Sequence, residues 1–305
     1  MIHYKNINCQ AKENVIVKKS YLKYITALLL FGMNGIVAGN IHLNSYEIVL
    51  LRTLLGSLLL VALLFITKKK MTWTKNKKDL IYIAVSGIAM GVSWMFLYEA
   101  YAQIGVSISS LLYYSGPVIV MVLSPLLFKE KLTAFKIIGF VAVLVGIFFV
   151  NNNTFSVNGN TFGILCGLLS AVLYAIMVIA NKKATHIKGL ENSAIQLIIS
   201  FLTVFIFVAF KNGFSIHIDS SDWIWILILG LLNTGAGCYF YFSSIGNLPV
   251  QTVAICGYIE PLSAVLFSVI LLHETMVPMQ IIGAILIIGG AVFGECAHFK
   301  AKKMS

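Results

Sequence analysis

The feature that most constrains this chain is an apolar stretch that occurs twice. Gly257 to Glu274 reads GYIEPLSAVLFSVILLHE, and Tyr113 to Glu130 reads YYSGPVIVMVLSPLLFKE in the same frame. Matching residues lie 144 positions apart, as in the pairs Pro117 and Pro261, Ser124 and Ser268, and Glu130 and Glu274. An internal repeat governs every later choice of fold class. The chain is therefore expected to consist of two related halves.

Composition indicates that both halves lie in a membrane. Hydrophobic residues make up 59% of the chain and charged residues only 11%, whereas a soluble domain carries roughly 25% charged residues. A membrane-spanning helix needs about 20 mostly apolar residues. Ten such runs are present, at about 22–41, 46–66, 80–102, 106–128, 134–151, 161–181, 193–211, 222–243, 249–272 and 277–297. The sequence predicts an all-α integral membrane protein with ten transmembrane helices.

The lysines predict how the chain is oriented. They cluster before the first run, after the second, fourth and sixth runs, and at the end of the chain, whereas the opposite side receives only Lys211. Basic connections mark the cytoplasmic side of a membrane protein. Both termini are therefore predicted to be cytoplasmic in a multi-pass protein of the plasma or inner membrane. The net charge of +11 is assigned to the lipid bilayer as partner and not to nucleic acid.

An odd number of helices in each half predicts an inverted repeat. The halves divide at Asn151, which gives a cytoplasmic segment 1–21, a first repeat 22–151, a second repeat 152–297 and a cytoplasmic tail 298–305. Five helices per half make the second half enter the membrane with the opposite orientation. Many secondary transporters are built in this way, with a substrate site near the midplane. The alternative is that duplication serves only to build a helical bundle.

Several motifs resemble one family of membrane transporters. They are EPLSAVLFSVILLHETMVPMQIIGAILIIGG from Glu260, its weaker copy from Gly116, LLRTLLGSLLL around Arg52, and FGMNGIVAGN in the first run. Over residues 22–297 the chain resembles the EamA branch of the drug/metabolite transporter superfamily. The resemblance implies export, or less often uptake, of amino acids and other small metabolites through a central cavity.

Three charged residues inside the apolar runs are candidates for a substrate site, because each costs roughly 2.5–3.5 kcal/mol to insert. Arg52 is interpreted as a site for a substrate carboxylate, as an ion-pair partner on another helix, or as a residue that reaches the headgroups. Glu99, beside Trp94 and Tyr98, could bind an ammonium group or take a proton. Alternatively, these aromatic residues face lipid or pack between helices.

Glu260 is followed by Pro261, and a proline within a helix removes a hydrogen bond and bends it. Glu260 is interpreted as a substrate or proton site, or else as a gate or packing residue. Further cavity candidates are the uncharged polar residues Asn34, Tyr114, Tyr174, Asn233 and Tyr258. Tyr114 and Tyr258 are repeat mates, predicted to face the same central space or to pack as buried tyrosines. The hinge and gate candidates are Pro117, Pro261, Glu130 and Glu274.

Motifs for ATP use and for catalysis are absent from the sequence. No GxxxxGK[ST], HExxH or GxSxG pattern occurs, so neither ATP hydrolysis nor enzymatic activity is expected. No metal or cofactor is predicted, although coupling to a proton gradient is compatible with the buried acids. The sequence thus predicts a secondary-active carrier of small-molecule substrates, exporting amino acids or related compounds by alternating access. Uptake or bidirectional facilitation, and a non-transporting scaffold or sensor, remain as alternatives, and the oligomeric state is open.

Overall fold

The structure of the protein is a computed structural model, which describes residues 2–68, 71–150, 161–212, 216–272 and 278–304. These residues form helices and their connections, with no β-strand among them. The first half contains α1 (Ile2–Gly32), α2 (Asn34–Ala38), α3 (Ser45–Thr67), α4 (Lys77–Ile104), α5 (Val106–Tyr113), α6 (Gly116–Phe128) and α7 (Ala134–Val150). The second half contains α8 (Thr161–Lys183), α9 (Leu190–Asn212), α10 (Trp223–Leu227), a π-helix (Ile228–Ala236), α11 (Gly237–Ile245), α12 (Val250–Cys256), α13 (Ile259–Leu272) and α14 (Pro278–Met304).

Seven helical segments are long and apolar enough to cross a membrane. They are Val15–Ala38, Ser45–Thr67, Lys77–Ile104, Thr161–Lys183, Leu190–Lys211, Trp223–Ile245 and Val250–Leu271. Three shorter apolar helices accompany them, at Gly116–Phe128, Ala134–Phe149 and Ile281–Gly294. The all-helical class is confirmed. Seven segments, rather than the ten predicted, reach spanning length by this measure.

The two terminal helices extend beyond the apolar runs. The helix α1 begins at Ile2, within the segment predicted as a separate polar leader, and α14 continues to Met304 through the predicted tail. Lysine and glutamate are good helix formers, so the polar ends can prolong each helix outside the apolar region.

The repeat in the sequence reappears in the helix boundaries. Val106 and Val250 begin α5 and α12, and Ala134 and Pro278 begin α7 and α14, both pairs 144 residues apart. The helix α9 begins within one residue of the position that α3 predicts for it. Each half therefore folds into the same series of elements.

The helices α7 and α14 pack on each other through glycines. A Cβ atom at Gly139 would lie 2.5 Å from the Gly290 carbonyl oxygen, and one at Gly146 would lie 2.6 Å from the Gly283 carbonyl oxygen. Only glycine allows two helix backbones to approach this closely, as in the small-residue contacts of membrane helices. Because Gly283 and Gly290 are the repeat mates of Gly139 and Gly146, the two contacts are copies of one another.

Short interruptions divide the segments that contain the two prolines. The helix α5 ends before Tyr114, and α12 ends before Gly257. Pro117 and Pro261 then lie in the first turn of α6 and α13, where a missing backbone N–H costs nothing. The predicted bend is therefore a break between two helices, located before each proline rather than at it.

Polar contacts join the connections at one end of the bundle, called here the lysine-rich end. The Glu191 carboxylate accepts hydrogen bonds from the backbone N–H groups of Thr72 and Trp73, at 2.6 and 2.8 Å. The Lys182 ammonium group donates to the carbonyl oxygens of Ile245 and Leu248. These contacts fasten the ends of α3, α8, α9 and α11 to one another.

Candidate functional site

A cavity of about 280 Å³ lies between the helices of the two halves. We call it the central cavity. Its walls come from the end of α1 with α2, from α3, α4 and α5, and from the start of α13. The polar and aromatic residues that line it are Phe31, Asn34, Arg52, Trp94, Tyr98, Tyr101, Ser110, Tyr113, Tyr114 and Glu260. Most of the residues singled out in the sequence therefore meet here.

Arg52 is the central positive charge of this cavity and is only 2% exposed. Its Nε donates to the Thr234 hydroxyl and its Nη1 to the Tyr98 hydroxyl, each at 2.9 Å. Its guanidinium carbon lies 4.3 Å from the centre of the Trp94 ring, close enough for a cation–π interaction. These contacts fix the guanidinium plane and leave its Nη2 without a hydrogen-bond partner.

Glu260 brings a negative charge to the same cavity. It lies in the first turn of α13, where a carboxylate is favoured by the helix dipole. The side-chain ion pairs found among the described residues are His42–Asp222 and His186–Asp79, so Arg52 and Glu260 share a cavity without a direct ion pair. A zwitterionic ligand would be complementary to this separated pair of charges.

The glycine at the end of α1 brings α13 into position. A Cβ atom at Gly32 would lie 2.0 Å from the Ser263 hydroxyl oxygen and 3.0 Å from the Glu260 carbonyl oxygen. Any side chain there would push the two helices apart. Gly32 therefore allows α13 to hold Glu260 beside the end of α1.

The π-helix presents Asn233 and Thr234 beside Arg52. Thr234 donates to the carbonyl oxygen of Leu229, five residues earlier, at 2.7 Å, which is the spacing of a π-helix. The Asn233 amide donates to the Asn34 side-chain oxygen at 3.1 Å, while its own buried oxygen has no hydrogen-bond partner. Such π segments are frequent at functional sites, and no pattern in the sequence predicts this one.

A smaller cavity adjoins the central one and is largely aromatic. The two cavities share Asn34, Trp94, Tyr113 and Glu260 in their walls. The smaller one is completed by Tyr174, Met90, Met177, Cys238, Tyr241 and Phe242. Its apolar walls could receive an uncharged part of a ligand whose charged groups contact Arg52 and Glu260.

The tyrosine repeat mates do not have equivalent positions. Tyr114 lines the central cavity, as predicted, whereas Tyr258 is fully buried and lines neither cavity described above. The Tyr258 hydroxyl donates to the backbone carbonyl oxygen of Tyr114 at 2.8 Å. The structure therefore places one mate at the cavity and the other behind it, where it supports the backbone of the first.

Glu99 lies outside the central cavity. Although it follows Tyr98 directly, the next residue of an α-helix points about 100° away. Its carboxylate accepts hydrogen bonds from the Tyr46 hydroxyl and from the Gln103 amide. The acid therefore belongs to a separate groove on the outside of α4.

At the lysine-rich end, Glu130 joins the two halves. Its two carboxylate oxygens accept hydrogen bonds from the backbone N–H groups of Val250 and Gln251, at 2.7 and 3.1 Å. The Gln251 side chain in turn accepts from the buried Lys136 ammonium at 2.8 Å and donates to the Ser124 hydroxyl at 3.0 Å. This network, called here the Glu130 latch, ties the connection after α6 to the start of α12. Its predicted counterpart Glu274 lies outside the described residues.

Three residues of the site or latch were missed as candidates. Thr234 holds Arg52, and Lys136 and Gln251 complete the Glu130 latch. The only signal for Gln251 is a polar residue in an apolar run. Among the described residues, no group of three or more His, Cys, Asp or Glu side chains is arranged to hold a metal ion.

A helical bundle with seven apolar segments of spanning length and a charged internal cavity defines a class of multi-pass membrane proteins. Comparison with known proteins identifies the family within that class. The model of the EamA-like transporter family matches residues 18–152 and 161–293. The chain therefore belongs to the EamA-like transporter family, and its two matches correspond to two repeats.

The similar curated proteins are also transporters. The chain is 22% identical to the uncharacterized transporter YxxF of Bacillus subtilis, over 88% of this chain and 87% of YxxF. It is 23% identical to an uncharacterized transporter of Clostridium kluyveri, over 94% of this chain and 96% of the other. A crystal structure of another protein superposes with a TM-score of 0.80 at 16% identity, over 93% of this chain and 99% of that one, which supports the fold.

Proposed function

We propose that the protein is a secondary-active transporter that exports amino acids or closely related small metabolites through the central cavity. The observation that carries the proposal is the pairing of Arg52, whose buried Nη2 lacks a partner, with Glu260 in the same cavity. An amino acid carries a carboxylate for the first and an ammonium group for the second. Charge-assisted hydrogen bonds of this kind are the strong ones in proteins.

A purely structural role fits Arg52 less well. A buried donor left without a partner costs roughly 1–3 kcal/mol, and more when it is charged. A structural arginine would lose this cost by pairing with the available acid, but no ion pair joins Arg52 to Glu260. A substrate carboxylate would fill the vacant position at Nη2.

Two observations support an inverted repeat with ten membrane crossings. The helix boundaries recur at a spacing of 144 residues, and the contacts of Gly139 with Gly290 and of Gly146 with Gly283 are exchanged by that shift. Contacts of this kind arise at a two-fold axis. With the lysines on the cytoplasmic side, both termini would face the cytoplasm of a cell whose plasma or inner membrane holds the protein.

Alternating access gives the Glu130 latch a role in transport. The latch joins the halves at the lysine-rich end, whereas the central cavity is lined by α2 and by the parts of α3 and α4 nearer the opposite end. Opening the lysine-rich end would require the latch to break. The breaks before Pro117 and Pro261 would allow α6 and α13 to tilt relative to α5 and α12.

The proposal is tested by measuring metabolites in cells and medium, followed by flux into proteoliposomes loaded with amino acids. Arg52→Gln and Glu260→Gln are expected to abolish export while the protein remains folded. Glu99→Gln is the matched control, because its carboxylate lies outside both cavities, and it should retain export. If Arg52→Gln exports as well as the wild type, the assigned site is wrong.

The same assay separates the remaining possibilities. Accumulation inside cells would indicate uptake, and equal exchange in both directions without a gradient would indicate a facilitator. If protons are coupled through Glu260, Glu260→Gln should lose flux driven by a pH gradient but keep substrate binding. Absence of flux for every amino acid and metabolite tried would favour a scaffold or sensor.

A further inference from the structure

The largest cavity described here is separate from the proposed transport path. It has a volume of about 600 Å³ and lies between α4, α8 and α9, with the start of α3 at one side. Its apolar lining includes Met95, Phe96, Phe162, Ile206 and Phe210. We call it the lateral groove.

The lateral groove faces the outside of the bundle. Phe210 is 89% exposed and Phe162 is 56% exposed, which would be costly in water but is ordinary beside lipid tails. The end of α4, the end of α9 and the start of α8 meet here, at the end of the bundle opposite the lysine-rich end. The groove therefore has the position of an acyl chain lying against the protein in that leaflet.

Both signs of charge occur at the polar part of this groove. Lys211 places its ammonium nitrogen 3.8 Å from the centre of the Tyr46 ring, and Glu99 accepts a hydrogen bond from the same tyrosine's hydroxyl. No ion pair joins Glu99 to Lys211 in the part of the chain that the structure describes. Two opposite charges thus border one apolar groove without neutralising each other directly.

We propose that the lateral groove binds a phospholipid with a primary ammonium headgroup, of the phosphatidylethanolamine type. The acyl chain occupies the apolar groove, the phosphate contacts Lys211, and the headgroup ammonium donates hydrogen bonds to Glu99. The site is independent of the proposed transport function, because its lining contains neither Arg52 nor Glu260.

The charges select this headgroup over the other common ones. A phosphatidylcholine headgroup has no N–H to donate, so it can give Glu99 only a diffuse charge interaction. A phosphatidylglycerol headgroup is anionic overall and would place no cation against Glu99. Charge-assisted hydrogen bonds near a water interface are weak, so we expect a preference of about two- to fivefold for the ethanolamine lipid.

The preference can be measured with photoreactive lipids. The full-length protein is placed in vesicles of phosphatidylethanolamine, phosphatidylcholine and phosphatidylglycerol in equal parts, each in turn carrying a trace of diazirine-labelled chain. Crosslinks are then mapped by mass spectrometry to Phe162, Phe207 and Phe210. Labelling at Leu58, an exposed residue of α3 outside the groove, serves as the internal reference.

The variants separate the two contacts. Glu99→Gln should bring the ratio of ethanolamine to choline labelling close to one, and Lys211→Gln should lower groove labelling by all three phospholipids. Lys188→Gln removes one exposed lysine at the lysine-rich end and should change neither. Equal labelling by ethanolamine and choline lipids in the wild type would overturn the proposal without any variant. Stronger labelling by the glycerol lipid would overturn it in favour of a simple anion site at Lys211.

Discussion

Replacing Glu130 by glutamine should shift the protein toward a state that is open at the lysine-rich end. The wild-type carboxylate accepts two backbone N–H groups at the start of α12, from Val250 and Gln251. The glutamine side chain keeps the size but loses the charge, so it can accept only ordinary hydrogen bonds. If the latch breaks on opening, the substitution weakens the closed state alone.

The expected size of the shift follows from these two hydrogen bonds. A hydrogen bond to a charged group contributes about 1.5–3 kcal/mol and a neutral one about 0.5–1.5 kcal/mol. The loss is therefore about 1 kcal/mol per bond, reduced somewhat because Glu130 is only half-buried. A total of about 1–2 kcal/mol changes the ratio of open to closed molecules by about 5- to 30-fold.

Spin labels can report this ratio. In a background without native cysteines, labels are attached at Lys131→Cys and Gly246→Cys, exposed positions of the two halves at the lysine-rich end. A Cβ atom at Gly246 would meet nothing within 4 Å. Pulsed electron resonance distances should show a larger long-distance population in Glu130→Gln than in the wild type.

Glu47→Gln provides the matched control. Glu47 also accepts a backbone hydrogen bond at a helix start, from Asn44 at 3.1 Å, but both residues belong to the first half. It should lower stability without changing the ratio of distances. The reasoning is refuted if Glu130→Gln leaves the distances unchanged, or if Glu47→Gln shifts them equally.

Two further substitutions test other parts of the structure. Gly139→Ala should destabilise the protein by about 1–3 kcal/mol through its clash with Gly290, seen as a lower unfolding temperature in detergent; Gly289→Ala, which meets nothing within 4 Å, should leave that temperature unchanged. The Asp222 carboxylate raises the pKa of His42 above its ordinary value of 6.5 through a 3.0 Å hydrogen bond. This stabilisation is complete below pH 6.5 and is lost as the pH rises through the raised pKa, so His42→Gln should cost more stability at pH 6 than at pH 9. An equal cost at both pH values would contradict that assignment.

Local sequence patterns predicted the positions of the helices better than the facing of single side chains. The repeat fixed which segments are helical, because a spacing of 144 residues constrains both copies at once. It also indicated that Asn34, Arg52 and Glu260 would share a cavity, since buried charges in a membrane protein seek the interior. Glu99 satisfied the same criterion, yet one step along α4 turns it to the outside.

Contacts between distant segments could not be predicted from the sequence. The Glu130 latch depends on α12 beginning beside the connection after α6, which is a matter of tertiary packing. The π-helix adds one residue to a turn, and apolar periodicity is too coarse to register this change. The break at Tyr114 was predicted as a bend at Pro117 because proline constrains the preceding residues, but not how far upstream the helix ends.

The paired glycines of α7 and α14 have a consequence for how such a molecule could move. Suppose the two halves exchange conformations during a transport cycle. The contact between Gly139 and Gly290 then becomes the contact between Gly283 and Gly146, which the structure already contains. This interface is unaltered by the exchange, so it can serve as a stationary axle while the segments around Arg52 and Glu260 rearrange about it.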